Sequence, residues 1–313
     1  MGGQPGIRGL KIITHNVRGR LLSNLEDLFQ VCFLSQNAHV ICFQETGITS
    51  TYQTARFKAD IIGLCHHYRI PPYQVFIHDS AQKGQGVVCL THPNIHASLV
   101  PISVAGRFLA LRISWGGHDL LLGNVYFPSG ASSHHMQQRE FITSTLTKFS
   151  QRTPSLPHIV LGDFNFTLNQ TRDRNRPAPE VDYCEARTAS TFHHWTQSFN
   201  MLDIFRLHRP NTAGYTFHRG ANPGQRASAS RIDRIHASDS ISPHITACKT
   251  IPIPPHLSDH LPLRCTVWPK KPLLKGRGPP RLHLHSMRDK TPQEAIKEII
   301  MCYIKFLVCN TLP

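Results

Sequence analysis

The sequence predicts an α/β protein made of two packed β-sheets with helices on their outer faces. Two observations carry that expectation. Short segments rich in β-branched and aromatic residues, bounded by Gly, Pro or polar clusters, recur along the chain and alternate with stretches of helical apolar spacing. The strand segments are apolar at successive positions, so both of their faces need cover, one by the other sheet and one by helices.

Strands are expected at residues 11–14, 40–43, 86–90, 108–113, 120–126, 158–161, 231–235 and 263–267. Helical spacing runs through Leu21, Leu22, Leu25, Leu28, Phe29 and Cys32. It recurs from Met136 to Phe149, where Gln137, Gln138 and Arg139 form a polar face. No internal repeat is visible. After Trp268 the composition turns to Pro, Gly and basic residues, as in a linker. The expected organisation is a flexible N-terminus (1–9), one domain (10–268), a Pro/basic linker (269–290) and a short helical tail (291–313). The tail begins with a capping box, Thr291-Pro292-Gln293-Glu294.

Composition narrows the class. A chain of 313 residues, 40% hydrophobic, can bury a sizeable core. Lys and Arg number 34 against 19 Asp and Glu, a net charge of +15, with a pI near 9.7. That bias favours polyanionic partners, nucleic acid first and anionic membrane second. The 9 Cys are odd in number, widely spaced and lack a C-x-x-C pair, which indicates reduced thiols rather than a disulfide framework or zinc site. The N-terminus lacks a charged segment followed by an apolar run, so the expected compartment is cytoplasm or nucleus. The apolar stretch from Ile299 to Cys309 is short and interrupted by Lys305, so no membrane span is expected.

Chemistry concentrates at strand ends. Leu161-Gly162-Asp163-Phe164-Asn165 closes an apolar strand with an acid and an amide, and His15-Asn16, Gln44-Glu45 and Ser258-Asp259-His260 stand at similar ends. Phosphodiester hydrolysis needs a cation on the phosphate, a group to orient or activate water, and stabilisation of the leaving oxygen. Oxygen donors suit Mg²⁺, with Mn²⁺ as a substitute, and Glu45 and Asp259 fit that demand. His260 can act on the phosphate or water if a carboxylate fixes its tautomer, and Asp233, on an apolar strand, is the expected partner. The pairs His66-His67, His134-His135 and His193-His194 point their side chains apart and are assigned to surface or packing.

Each cluster alone fits an ordinary turn; their order is the informative part. Asn16, Glu45, Tyr126, Asp163 with Asn165, Asp233 and Asp259-His260 together resemble the endonuclease/exonuclease/phosphatase superfamily, with its deoxyribonuclease-I-like fold. The pieces carrying the resemblance are Gln44-Glu45-Thr46, Gly162-Asp163-Phe164-Asn165, Arg231-Ile232-Asp233 and Ser258-Asp259-His260-Leu261-Pro262. It implies a four-layer sandwich, α/β in class, with the site at one end of the paired sheets. It also implies metal binding by Glu45 and Asp259 with Asn16 beside them, placement of water and phosphate by Asp163 and Asn165, and a His260–Asp233 pair.

Tyr126 stands shortly before Pro128, as in abasic-site and retrotransposon endonucleases, where many phosphatases, sphingomyelinases and deoxyribonuclease I relatives have His. His15-Asn16-Val17-Arg18-Gly19 and Tyr215-Thr216-Phe217 most resemble the endonuclease domain of non-LTR (LINE-type) retrotransposons. The residue before the Asn is often Trp in the superfamily; here it is His15, a departure that bears on local packing. Two basic loops are expected at DNA phosphates: Arg172, Arg174 and Arg176 in one, Arg219 and Arg226 in the other. The resemblance thus implies a monomeric, Mg²⁺-dependent endonuclease that nicks target DNA for retrotransposition. A reverse transcriptase follows this domain in the family and is absent from this chain, which implies a fragment, a truncated reading frame or a remnant. An abasic-site repair nuclease, a phosphoinositide-type phosphatase and an inactive nucleic-acid-binding remnant are the alternatives.

Overall fold

The computed structural model describes residues 9–268 except 81, 83, 131, 176–182 and 221–226. The expected linker (269–290) and helical tail (291–313) lie outside the described residues.

The chain runs β1 (Leu10–Asn16), α1 (Leu25–Phe29), β2 (Val40–Gln44), α2 (Thr51–His67), β3 (Gln74–His78), β4 (Val87–Thr91), β5 (His96–Val104), β6 (Phe108–Trp115) and β7 (His118–Tyr126). It continues with α3 (Ser133–Arg152), β8 (His158–Asp163), α4 (Tyr183–Ser198), β9 (Met201–Asp203), α5 (Ile204–His208), β10 (Phe217–Arg219), β11 (Ser228–Ser230), β12 (Asp233–Ser238), β13 (Ile245–Thr250) and β14 (Leu263–Val267). Every strand expected from sequence is present, the one anticipated at 231–235 starting at Asp233. The helix anticipated around Leu21–Cys32 is shorter: α1 continues as a π-helical turn, Gln30–Ser35.

Two six-stranded mixed sheets form, in the orders β13-β14-β1-β2-β4-β3 and β5-β6-β7-β8-β12-β9, beside a two-stranded β10-β11 hairpin. The β1–β2 and β7–β8 pairs are parallel, the rest antiparallel. The alternation of side chains across each strand explains the unbroken apolar runs. Ile12, Val40, Cys42, Val87 and Cys89 pack between the sheets against Leu109, Leu111, Ile159, Leu161 and Ile235. Their neighbours Ile13, Ile41, Phe43, Val88 and Leu90 pack outward with Leu28, Phe29, Phe57 and Ile61. On the far side, Phe108, Leu121, Val125 and Val160 meet Ile142, Leu146 and Phe149 of α3 and Phe192 and Trp195 of α4. The result is four layers, helix–sheet–sheet–helix, as the sequence implies. Among the described residues, no helix is long and apolar enough to cross a membrane.

The elements missing from the sequence reading share a cause. Strand β5 sits at a sheet edge with exposed positions throughout and carries Pro101, which edge strands tolerate. Helix α2 buries only Phe57, Ile61 and Cys65, one residue per turn, too thin a stripe to stand out. It is started instead by a local signal, the Ser50 side chain accepting from the Gln53 N–H.

Candidate active site

Register brings the polar strand ends to one edge of the molecule. Asn16, at the end of β1, lies opposite Gln44 at the end of β2, and Tyr126, ending β7, lies opposite Asp163, ending β8. Asp163 also faces Asp233, the first residue of antiparallel β12. On the other flank, Leu263 at the start of β14 pairs with Thr14, so the preceding Ser258–His260 turn falls beside Asn16. The Ser258 hydroxyl donates to the Asn16 carbonyl at 2.8 Å and accepts the His260 N–H at 3.0 Å, fixing that turn.

The side chains form one connected network. The Asn16 amide nitrogen donates to Asp163 Oδ2 at 2.7 Å and Glu45 Oε2 at 3.3 Å, and the Tyr126 hydroxyl donates to the same Glu45 oxygen at 3.0 Å. Asp163 Oδ1 accepts the Asn165 N–H at 2.9 Å, and the Asn165 amide donates to Asp163 Oδ2 at 3.1 Å and to the Phe127 carbonyl at 2.8 Å. Glu45 and Asn165 both take left-handed backbone conformations, φ +50° and +53°, which aim these side chains out of their strands. His260 Nδ1 stands 2.9 Å from Asp233 Oδ2. The Thr216 hydroxyl, accepting the Ile232 and Asp233 N–H groups at 3.2 and 3.1 Å, holds the Asp233 backbone. Asp259 receives the Arg18 guanidinium. All eight catalytic and metal-binding positions expected from sequence are therefore joined, directly or through Arg18 and Ser258, at one edge.

Electrostatics differentiate the acids and bases. Burial, then the neighbouring Asp233 charge, raises the Asp163 carboxyl from its ordinary value to about 7. Burial works against the His260 imidazolium, but the Asp233 charge and hydrogen bond outweigh it and lift His260 to about 9. Burial, reinforced by the Glu45 and Asp163 charges, pushes the Tyr126 phenol well above its usual range, so it stays a donor. Arg107 lies over the Tyr126 ring, 4.7 Å from its centroid. His15, in the position where a Trp is common, is 1% exposed and kept neutral by burial down to about pH 4, with Nε2 3.1 Å from the His260 carbonyl. It fills its site and supports the His260 backbone.

Whether the donor set suits a hard divalent ion can be judged from its oxygens. Asp259 Oδ1 and Asp233 Oδ1 are buried without a hydrogen-bond partner. A carboxylate oxygen left bare is costly, and a cation would satisfy it. Among the described residues, the ligand atoms of Asp163, Asp233 and His260 come within 4.8 Å of one another. However, His260 Nδ1 already engages Asp233, and an ion drawing on that nitrogen would break the pair. Outside that pair, Asp259 offers a bare Oδ1 that a cation would satisfy. The Asn16 nitrogen faces Glu45 and Asp163 while its Oδ1 accepts the Arg18 N–H at 2.8 Å, so Asn16 orients the carboxylates in this arrangement.

The basic loops are less free than their composition implies. Arg172 is exposed and donates to the Pro210 carbonyl at 3.0 Å, whereas Arg174 pairs with Glu185 at 2.5 Å. Arg219 is exposed on the hairpin. Arg176 and Arg226 lie outside the described residues. Between Arg172 and Arg174, Asp173 is 1% exposed and accepts from Arg206 and Arg231. A cavity of about 470 Å³ joins Asn165, Arg174 and Arg219. Of the His pairs, His66, His67, His134, His193 and His194 are exposed and His135 half-buried, as expected.

Residues that the sequence reading gave no role of their own support the site. Gln44 donates across the sheets to Asn124 Oδ1 at 2.6 Å, and Asn124 donates to the Phe43 and Val88 carbonyls at 3.1 Å each. That buried tie locks β2 to β7 directly beneath Glu45 and Tyr126. Gly162 is a second support: at φ +140°, a Cβ there would lie 1.9 Å from the Val125 carbonyl oxygen. Gly162→Ala is expected to push β8 from β7 and displace Asp163, lowering the unfolding temperature and phosphodiester cleavage together. Thermal unfolding unchanged from wild type would refute this.

Comparison with known proteins agrees with the geometry. The model of the Endonuclease/Exonuclease/phosphatase family matches residues 13–260. An AP endonuclease from Leishmania major superposes with a TM-score of 0.66 at 18% identity, covering 83% of this chain and 88% of that one. A 3′ phosphatase from Neisseria bound to a product DNA hairpin gives 0.63 at 19% identity, covering 82% and 99%. An AP endonuclease from Archaeoglobus fulgidus gives 0.62 at 21% identity, covering 83% and 100%. These similarities are of fold. No curated protein matches the chain. The family match spans the strands and turns that assemble the site, from β1 to His260: the chain belongs to the endonuclease/exonuclease/phosphatase family.

Proposed function

We propose that this protein is a divalent-metal-dependent DNA endonuclease of the retrotransposon type, nicking one strand of duplex DNA to leave a 3′ hydroxyl for priming. The observation carrying the reading is the unbroken hydrogen-bonded chain Tyr126–Glu45–Asn16–Asp163–Asn165, set beside the His260–Asp233 pair. Its parts match the needs of phosphodiester hydrolysis in acid, base, amide and phenol. The net charge of +15 favours a polyanionic substrate.

Glu45 and Asp259 would hold Mg²⁺ or Mn²⁺, which when bound neutralises charge on the phosphate. Asp163, its carboxyl raised to about 7, is suited to take a proton from an attacking water near neutral pH, with Asn165 and Asn16 fixing its oxygens. His260, kept cationic by Asp233, faces the phosphate as a positive donor through its free ring nitrogen. Tyr126 supplies a proton-bearing hydroxyl next to Glu45. Arg219 on the hairpin and Arg172 in its loop offer exposed charge to flanking phosphates. Tyr126 near Pro128 and the basic hairpin support the retrotransposon branch over lipid phosphoesterases. Action on chromosomal DNA would require nuclear entry, and a separate reverse transcriptase would extend the primer.

The test is conversion of supercoiled plasmid to the nicked form in Mg²⁺, with EDTA and Glu45→Gln as controls. Wild type is expected to nick, and each control to lower the rate by at least about 100-fold. No nicking by wild type would leave a nucleic-acid-binding module. A strong preference for abasic over intact duplex would move the reading to repair, and phosphate release from inositol phosphates would move it to a phosphatase.

A further inference from the structure

The turn after β1 carries a cation that the proposed chemistry leaves unused. Arg18 has φ +52°, and its N–H donates to Asn16 Oδ1. The flanking backbone is pinned: Gly19 N–H donates to the Glu45 carbonyl and Arg20 N–H to the Val17 carbonyl. The Arg18 backbone is thus fixed against the turn bearing Glu45, while its side chain is 56% exposed. That side chain reaches across to Asp259 Oδ2 and leaves Asp259 Oδ1 buried and bare.

We propose that Arg18 and a divalent cation compete for Asp259, so that metal loading releases the Arg18 guanidinium to a phosphate of the DNA. This rests on the reading of Glu45 and Asp259 as the metal seat. A guanidinium and a divalent ion on one carboxylate repel each other at a few ångströms. An ion pair this exposed is weak, so the guanidinium yields rather than the metal. Arg cannot neutralise itself by losing its proton, and its planar fork suits phosphate. With its backbone anchored beside Glu45, the released side chain stays within reach of whatever phosphate the site holds. Metal and DNA affinities are then linked, each strengthening the other by the same factor.

The experiment titrates Mn²⁺ into the metal-stripped full chain, following free Mn²⁺ by electron paramagnetic resonance. Arg18→Ala is expected to bind Mn²⁺ roughly 3- to 10-fold more tightly than wild type. Arg20→Ala removes a nearby charge that donates to the His256 carbonyl instead of Asp259, and should change affinity by less than about twofold. In an Asp259→Asn background, Arg18→Ala should no longer tighten Mn²⁺ binding. A second arm measures duplex DNA affinity by fluorescence anisotropy in Ca²⁺ and in EDTA: wild type gains affinity with Ca²⁺, and Arg18→Ala loses most of that gain. Unchanged or weaker Mn²⁺ binding by Arg18→Ala overturns the exchange, as does equal tightening by Arg20→Ala. If wild type binds no Mn²⁺, the metal seat itself is refuted, a result distinct from a wild type that binds and an Arg18→Ala that does not differ. Should Arg18→Ala lose its fold by circular dichroism, Arg18→Gln carries the same expectations.

Discussion

Asp163→Asn is expected to lower plasmid nicking by about 10²–10⁴-fold, the range a positioned acid or base contributes, while the fold survives. Asp163 is fully buried, and its two oxygens take three N–H groups, from Asn165 backbone, Asn165 side chain and Asn16. Burial and Asp233 hold its carboxyl near 7, where it exchanges a proton readily at neutral pH; an amide of the same shape does not. Two effects on stability oppose each other. The substitution removes charge repulsion with Asp233, but it turns an amide donor toward the Asn16 and Asn165 donors where an acceptor stood. The net change should be small, so thermal unfolding measured beside the nicking rate separates a chemical loss from a structural one. A folded Asp163→Asn protein that nicks within about tenfold of wild type would remove Asp163 from the chemistry.

How far the site can be read from the chain depends on whether a residue's role is local. Asn16, Glu45, Tyr126, Asp163, Asp233, Asp259 and His260 are visible because each stands at or beside an end of an apolar segment that can be recognised by itself. What joins them is not visible: Asn16 bonds to Asp163 across 147 positions of sequence, through registers that depend on both sheets packing. Gln44 reads as a member of a polar cluster beside Glu45, yet it faces inward and ties the sheets through Asn124. The three arginines around 172–176 read as one solvated basic loop. Buried Asp173 divides that loop, and Glu185, from a helix whose apolar stripe is diluted by polar residues, neutralises Arg174. Edge strands β3 and β5 escaped notice for a related reason, since half-buried positions carry no strong periodicity. Arg18 shows the same limit at the site: its position beside Asn16 is evident, and its reach to Asp259, 241 positions away, is not.

Arg231→Met is expected to destabilise the protein by about 3–5 kcal/mol, the usual effect of removing one partner from a buried ion pair, which corresponds to a fall in unfolding temperature on the order of 10 °C. Arg231 belongs to the recognised Arg231-Ile232-Asp233 stretch, but it points away from the chemistry. It is 2% exposed and lies 3.0 Å from Asp173 and 2.8 Å from Asp203, whose own exposures are 1% and 12%. Burial pushes both carboxyls up, yet the Arg231 charge, with Arg206 bonds to each, outweighs it and holds both below their ordinary range. Their contribution is therefore complete above the unfolded carboxyl pKa, near 4, and fades as pH falls below it. Without Arg231 the same carboxylates are buried with too little positive charge, so their pKa values rise above the unfolded value and the variant is penalised increasingly as pH climbs. The stability gap between Arg231→Met and wild type should thus be widest at neutral pH and narrow toward pH 4, measured by denaturant unfolding across that range. The Arg231 side chain ties the β11–β12 connection to Asp173 of the 172–175 loop, beside the Asn175–Ala229 bonds that join the same loop to β11. Loosening that tie should raise hydrogen exchange in the hairpin before it affects β1 or β2. A variant as stable as wild type at pH 7 would show that the network is replaceable and that Asp233 is aligned by Thr216 and the β8 pairing alone.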